Sequence, residues 1–101
     1  MIYQTITFTA KSGKMQDARQ LLLELVAYAN KNYSDMATVE VLSNINGPAN
    51  RLHWLVNLQS LGDWEVALEK WSEDSEAEEL WARIPDVFED DFETNLFRVE
   101  S

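Results

Sequence analysis

Hydrophobic and polar positions change period several times along this chain, and each change marks an element. Residues Ile2 to Ala10 alternate, with Ile2, Gln4, Ile6 and Phe8 on one side and Tyr3, Thr5, Thr7 and Thr9 on the other. Period two carried by β-branched and aromatic side chains predicts a strand with unequal faces. Lys11-Ser12-Gly13-Lys14 breaks the alternation. Met15, Ala18, Leu22, Leu25, Val26, Ala29 and Tyr33 then follow three-four spacing, which predicts an amphipathic helix of about five turns. Asn30-Lys31-Asn32 and Ser34-Asp35 supply its exit and a loop.

A second strand is predicted from Ala37 to Ile45, with Val39, Val41 and Ile45 on one face and Thr38, Glu40, Leu42 and Asn44 on the other. The turn Asn46-Gly47-Pro48-Ala49-Asn50 leads to a third strand, Leu52 to Gln59, whose apolar face is Leu52, Trp54, Val56 and Leu58. A hairpin has to bring the two apolar sets to one side of the sheet. Pairing Ile45 with Leu52 does so, and it sets Asn44 opposite His53 and Glu40 opposite Asn57.

Ser60-Leu61-Gly62-Asp63 is a capping-box variant with Ser60 at the cap. Trp64, Leu68 and Trp71 follow at four and three residues, predicting a second amphipathic helix. Ser75 with Glu78 repeats the cap signal, so this helix breaks and restarts near Ser72 to Ser75, with Leu80, Trp81 and Ile84 on the restarted apolar face. Pro85 ends it or opens a final short turn. Phe92 to Glu100 reads as the last strand, with Phe97 and Val99 on one face. The order β-α-β-β-α-β predicts an α+β, ferredoxin-like domain spanning residues 1–101: a four-stranded antiparallel sheet with both helices on one face.

Composition narrows the chemistry. With no cysteine and one histidine, His53, among 101 residues, the chain offers no disulfide, thiol nucleophile or obvious zinc set. No metal and no cofactor are expected. The three glycines fall in neither a GxGxxG nor a P-loop spacing. A formal charge of -10 argues against nucleic acid or an anionic membrane as partner. No apolar run reaches the length of a membrane span and a strand begins straight after Met1, so a cytoplasmic protein is expected.

The charge is local: Asp63 to Glu93 holds thirteen acids against Lys70 and Arg83, a net of -11. Carboxylates so dense suit a hard cation, but the ligand spacing of a calcium loop is absent. A solvated helix face that keeps the protein in solution is the plainer account.

Two helices cover one side of such a sheet. The other side carries Tyr3, Thr5, Thr7, Glu40, Leu42, His53, Leu55, Asn57, Phe97 and Val99, a mixture of apolar and hydrogen-bonding groups typical of interfaces. A homodimer packed face to face is expected, a half-wet sheet in a monomer being the other possibility. Here the chain resembles the dimeric α+β barrel superfamily, which holds antibiotic-biosynthesis monooxygenases, NIPSNAP-like proteins and haem-degrading monooxygenases. The resemblance rests on Ala10-Lys11-Ser12-Gly13-Lys14 with Asp17 and Leu21-Leu22, and on Leu58-Gln59-Ser60-Leu61-Gly62-Asp63-Trp64 with Trp71 one heptad on. It implies two sheets packed across a twofold axis and a ligand cavity between sheet and helices in each subunit. The haem-degrading members need an Asn, a Trp and a His where this chain has Ile6, Leu58 and Trp81, so haem degradation is not implied. The cofactor-independent oxygenases remain open by resemblance.

Two sets of site residues follow. Trp54, Trp64 and Trp71 converge on the helix side around Gln4, a slot for a small apolar or aromatic molecule in which Gln4 gives orientation; filling a small core is the other role for these indoles. Tyr33 and Asn95 stand at the edges of that slot. On the opposite face His53, with Glu40 and Asn57 nearby, has the composition of a general base oriented by a carboxylate, or of a hydrogen-bonded interface histidine. The functional expectation is a small-molecule-binding homodimer, enzymatic if the monooxygenase resemblance extends to chemistry. The alternative is a non-catalytic accessory module whose acidic helix meets a basic partner.

Overall fold

The computed structural model describes residues 1–100. In chain order the elements are β1 (Ile2–Thr9), α1 (Met15–Asn32), β2 (Ala37–Ser43), β3 (Arg51–Leu58), α2 (Leu61–Ser72), α3 (Ser75–Trp81), the single turn α4 (Ile84–Val87) and β4 (Glu93–Arg98). The strands form one antiparallel sheet in the order β2-β3-β1-β4. This is the ferredoxin-like α+β arrangement, with the second helix broken where the cap signals foretell it.

Period-two patterning decides the faces. Leu52, Trp54, Val56 and Leu58 of β3 are all buried, as are Ile2, Ile6 and Phe8 of β1. They pack against Ala18, Leu21, Leu22, Leu25 and Ala29 from one stripe of α1. The turn from β1 into α1 passes through Gly13 at φ +76°, a left-handed conformation that a Cβ would strain. Phe8, fully buried, stacks on Phe88 with ring centroids 4.8 Å apart. Phe88 reaches this place because Ala10 bridges to it and the flanking amides close the ladder: Lys11 N donates to Val87 O at 2.9 Å and Glu89 N to Thr9 O at 2.8 Å. Pro85 sits in the first turn of α4, where its missing N–H leaves nothing unpaired.

Three details depart from the sequence reading. β2 stops at Ser43, and the hairpin pairs Ser43 with Leu52, Leu42 with His53 and Glu40 with Leu55. The predicted register is thus off by two residues, which keeps every side chain on its expected face; a period-two pattern cannot tell two such registers apart. Ile45 consequently lies in the loop, fully exposed. Secondly, α3 is capped by Asp74 rather than Ser75: its carboxylate accepts from the Glu76 and Ala77 amides at 3.1 and 3.2 Å. Asp serves this position as well as Ser does. Thirdly, Asn30 is not a helix exit. It remains in α1 and its side-chain amide clamps the outer edge of β2, donating to Val39 O and accepting from Val39 N, both at 2.9 Å.

β4 is an edge strand with all six residues exposed. Phe97 and Leu96 keep about half of their surface. An edge with apolar side chains is one that proteins usually cover.

Candidate functional site

A cavity of about 120 Å³ lies between the sheet and α2. It is comparable with the ~150 Å³ apolar cavities known to admit a benzene-sized guest. β1 contributes Gln4 and Ile6, β2 contributes Val39, and β3 contributes Trp54, Val56 and Leu58. α2 presents Trp64, Ala67, Leu68 and Trp71, a row at three-four spacing, and α3 adds Trp81. No residue of α2 is fully buried, and Leu68, which lines the cavity, is half exposed, so the helix roofs the space rather than filling it.

All four tryptophans therefore meet at one place, with Gln4 among them. Trp54, Trp71 and Trp81 contact each other edge to face, centroids 6.1 to 6.4 Å apart, with interplanar angles of 66°, 83° and 86°. Such T-shaped contacts set the positive edge of one ring against the negative face of another. Trp64 stands apart from this triad, and its indole Nε1 is buried with no hydrogen-bond partner.

Tyr33 closes the end of the cavity at the C-terminus of α1, 5.5 Å from Trp71 between ring centroids. Its hydroxyl donates to Asp74 Oδ2 at 2.8 Å, and the Tyr28 hydroxyl donates to the same oxygen. Asp74 thereby joins α1 to the α2–α3 junction while its other oxygen caps α3. The Tyr28 hydrogen bond leads in holding the Asp74 carboxyl below its ordinary range, with Tyr33 and the two cap amides adding to it against the cost of burial. Burial, then the hydrogen bond to Asp74, pushes Tyr33 up to about 12. The Asp74 hydrogen bond raises Tyr28 as well, ahead of burial. The cavity's phenol is thus a neutral group at physiological pH, with no capacity as a base. Tyr28 and Asp74 were not among the site residues expected from sequence. The one local signal was an Asp directly before the Ser75 cap motif.

The open face is organised differently. His53 Nε2 lies 2.7 Å from Asn44 Oδ1 and Nδ1 lies 3.0 Å from Thr7 Oγ1. The Asn44 amide nitrogen donates to Pro48 O at 2.7 Å, which turns its oxygen to the imidazole and assigns the proton to Nε2. Nδ1 then accepts from the Thr7 hydroxyl in the neutral ring. Asn44 reaches His53 from the loop, not from the opposite rung where the expected register put it. Glu40 stands across from Leu55 and Asn57 across from Thr38 and Tyr3, so neither makes a hydrogen bond to His53. Asn95 pairs with Thr5 on this same face and lies outside the tryptophan cavity. Among the described residues no three His, Asp or Glu side chains converge to hold a metal ion, and no helix is long and apolar enough to cross a membrane.

The α+β ferredoxin-like fold is shared with NIPSNAP-domain and antibiotic-biosynthesis-monooxygenase-like structures. A NIPSNAP domain protein from Burkholderia xenovorans superposes with a TM-score of 0.82 at 12% identity, covering 100% of this chain and 96% of that one. A protein from Deinococcus radiodurans, provisionally assigned as an antibiotic biosynthesis monooxygenase, gives 0.75 at 14% identity over 100% and 94% of the two chains. One from Nitrosomonas europaea with the same provisional assignment gives 0.78 at 10% identity over the full length of both. At these identities the likeness is one of fold. The chain itself belongs to DUF6039, a family of unknown function, which it matches over residues 6–93. No curated protein matches it.

Proposed function

We propose that this protein binds a small apolar or aromatic molecule in the cavity beneath α2, and works as a homodimer joined through the open sheet face. The observation that carries the reading is the convergence of all four tryptophans on one cavity whose roof helix has no buried residue. Indoles used only as core filler would be expected to close that space. Exposed Phe97, Leu42 and Val99 beside half-buried Leu55 and Tyr3 support the assembly.

The lining favours binding over transformation. Its polar side chains are Gln4, the indoles and a phenol pushed up to about 12, so proton abstraction from a ligand has no acceptor there. Cofactor-independent oxygenation, suggested by the provisional assignment of the fold relatives, would rest on Gln4 stabilising an anion formed elsewhere. The exposed acids of α2 and α3 support a second reading, an accessory module that meets a basic partner.

The test is the set of four indole N–H resonances followed by heteronuclear NMR while toluene is added. Saturable shifts of several indoles are expected. Shifts that grow linearly without saturation would remove the binding site.

A further inference from the structure

We infer that the cavity, among the small apolar-surfaced molecules it admits, prefers those carrying a positively charged, methylated ammonium group over their neutral counterparts. This rests on the cavity being a ligand site, and narrows what enters it.

The first observation is geometric. Trp54, Trp71 and Trp81 meet edge to face at 66°, 83° and 86°, so no two of them are parallel, and all three line the same cavity with Tyr33 and Trp64. A planar ligand stacks best between parallel rings, and nothing of that kind is present among these three. Rings at right angles suit a compact, rounded group touched from several sides, as a trimethylammonium is. The face of each ring carries negative potential, which attracts a cation held against it.

The second observation concerns charge. No Lys, Arg or His lines the cavity. Behind its end wall the Asp74 carboxylate is held ionised by two tyrosine hydroxyls and two backbone amides. A phenol that donates to a carboxylate has a more electron-rich ring, and Tyr33 is such a phenol on the cavity wall. Glu65, Glu69, Glu73 and Glu76, all exposed on the roof helix and its continuation, add a negative field outside. That field raises the local concentration of cations and repels anions. The acidic run is thereby given a role beyond keeping the protein in solution.

The two observations are independent, since one is ring geometry and the other the placing of charge. Together they favour a ligand that is apolar on its surface and positive at its centre. The group can belong to a free small molecule or to a methylated lysine side chain, and both present the same chemistry.

The experiment uses choline and its neutral isostere 3,3-dimethylbutan-1-ol, which differ in nitrogen against carbon at the same shape, with toluene as a third probe. Binding is read from the indole N–H resonances of the wild-type protein. Choline is expected to bind about tenfold more tightly than the isostere, the ratio that corresponds to ~1.4 kcal/mol. Equal affinity, or preference for the alcohol, overturns the inference and leaves the cavity reading standing. Toluene binding with no response to choline does the same. No response to any of the three removes both. In Asp74→Asn, which keeps a good capping side chain, the ratio of choline to alcohol affinity is expected to shrink. An undiminished preference would remove Asp74 from the account. A trimethyllysine peptide, compared with choline, distinguishes a protein-borne group from a free one by which binds more tightly.

Discussion

The Tyr33 hydroxyl donates to Asp74 Oδ2 at 2.8 Å across 41 residues of chain. Through this contact the end of α1 is tied to the junction between α2 and α3, and the cavity acquires its end wall. Asp74 holds two jobs at once, capping α3 with one oxygen and receiving two phenols with the other. Most of the behaviour expected of the site can be referred to that residue.

Asp74→Ala removes the cap and leaves two hydroxyls without their acceptor. Loss of an N-cap costs about 1 kcal/mol, and the freed tyrosines add to it. In a domain of this size each kcal/mol lowers Tm by roughly 4–8 °C, so a fall of at least that much is expected in calorimetry. Asp74→Asn, which caps as well, should fall less. Equal losses in the two variants would mean that the charge, not the cap, dominates.

The pH dependence has a definite sign on each side. Asp74 is lowered in the fold, so its contribution is complete above the ordinary aspartate value near ~3.9 and declines as pH falls through the lowered one. Tyr33 is raised, so its contribution is complete below the ordinary tyrosine value near ~10 and is lost as pH rises towards about 12. Ultraviolet titration of the tyrosines in Asp74→Asn should bring Tyr33 part of the way back towards its ordinary value. The return is partial because burial, the larger cause, remains.

Trp64→Phe tests the orphan indole. A buried donor without a partner costs about 1–3 kcal/mol, and the substitution removes it while retaining an aromatic ring. The urea midpoint is therefore expected to hold or rise despite the smaller side chain. A clear fall would show that what the indole contributes by packing and hydrogen bonding outweighs the cost of the unpaired donor.

Leu55→Asp addresses the open face. Leu55 is half buried within the chain, between Thr5 and Glu40 on neighbouring strands. At the centre of a face-to-face dimer the new carboxylate would be buried unpaired beside Glu40, a cost of several kcal/mol. Light scattering should give the dimer mass for the wild type and the monomer mass for the variant. A dimer that survives the substitution contradicts assembly through this face.

The amino-acid pattern by itself carried the element order, the faces of every strand, the Ser60 cap and the gathering of Gln4, Trp54, Trp64 and Trp71 on the helix side. These follow from local periodicity: a strand's side chains alternate and a helix's recur every three to four residues, whatever the neighbours do. What needed the tertiary structure depends on distance in sequence. A register shift of two leaves the pattern unchanged, so only the paired hairpin placed Glu40 beside Leu55 and freed Asn44 to reach His53 from the loop. Phe88, just before the acids Glu89 to Asp91, belongs to no extended periodic run and takes its place in the core where Ala10 bridges to it. Tyr28 and Asp74 are 46 residues apart, and nothing in either local sequence specifies their meeting. It is decided by the way α1 and the α2–α3 junction cross the same sheet.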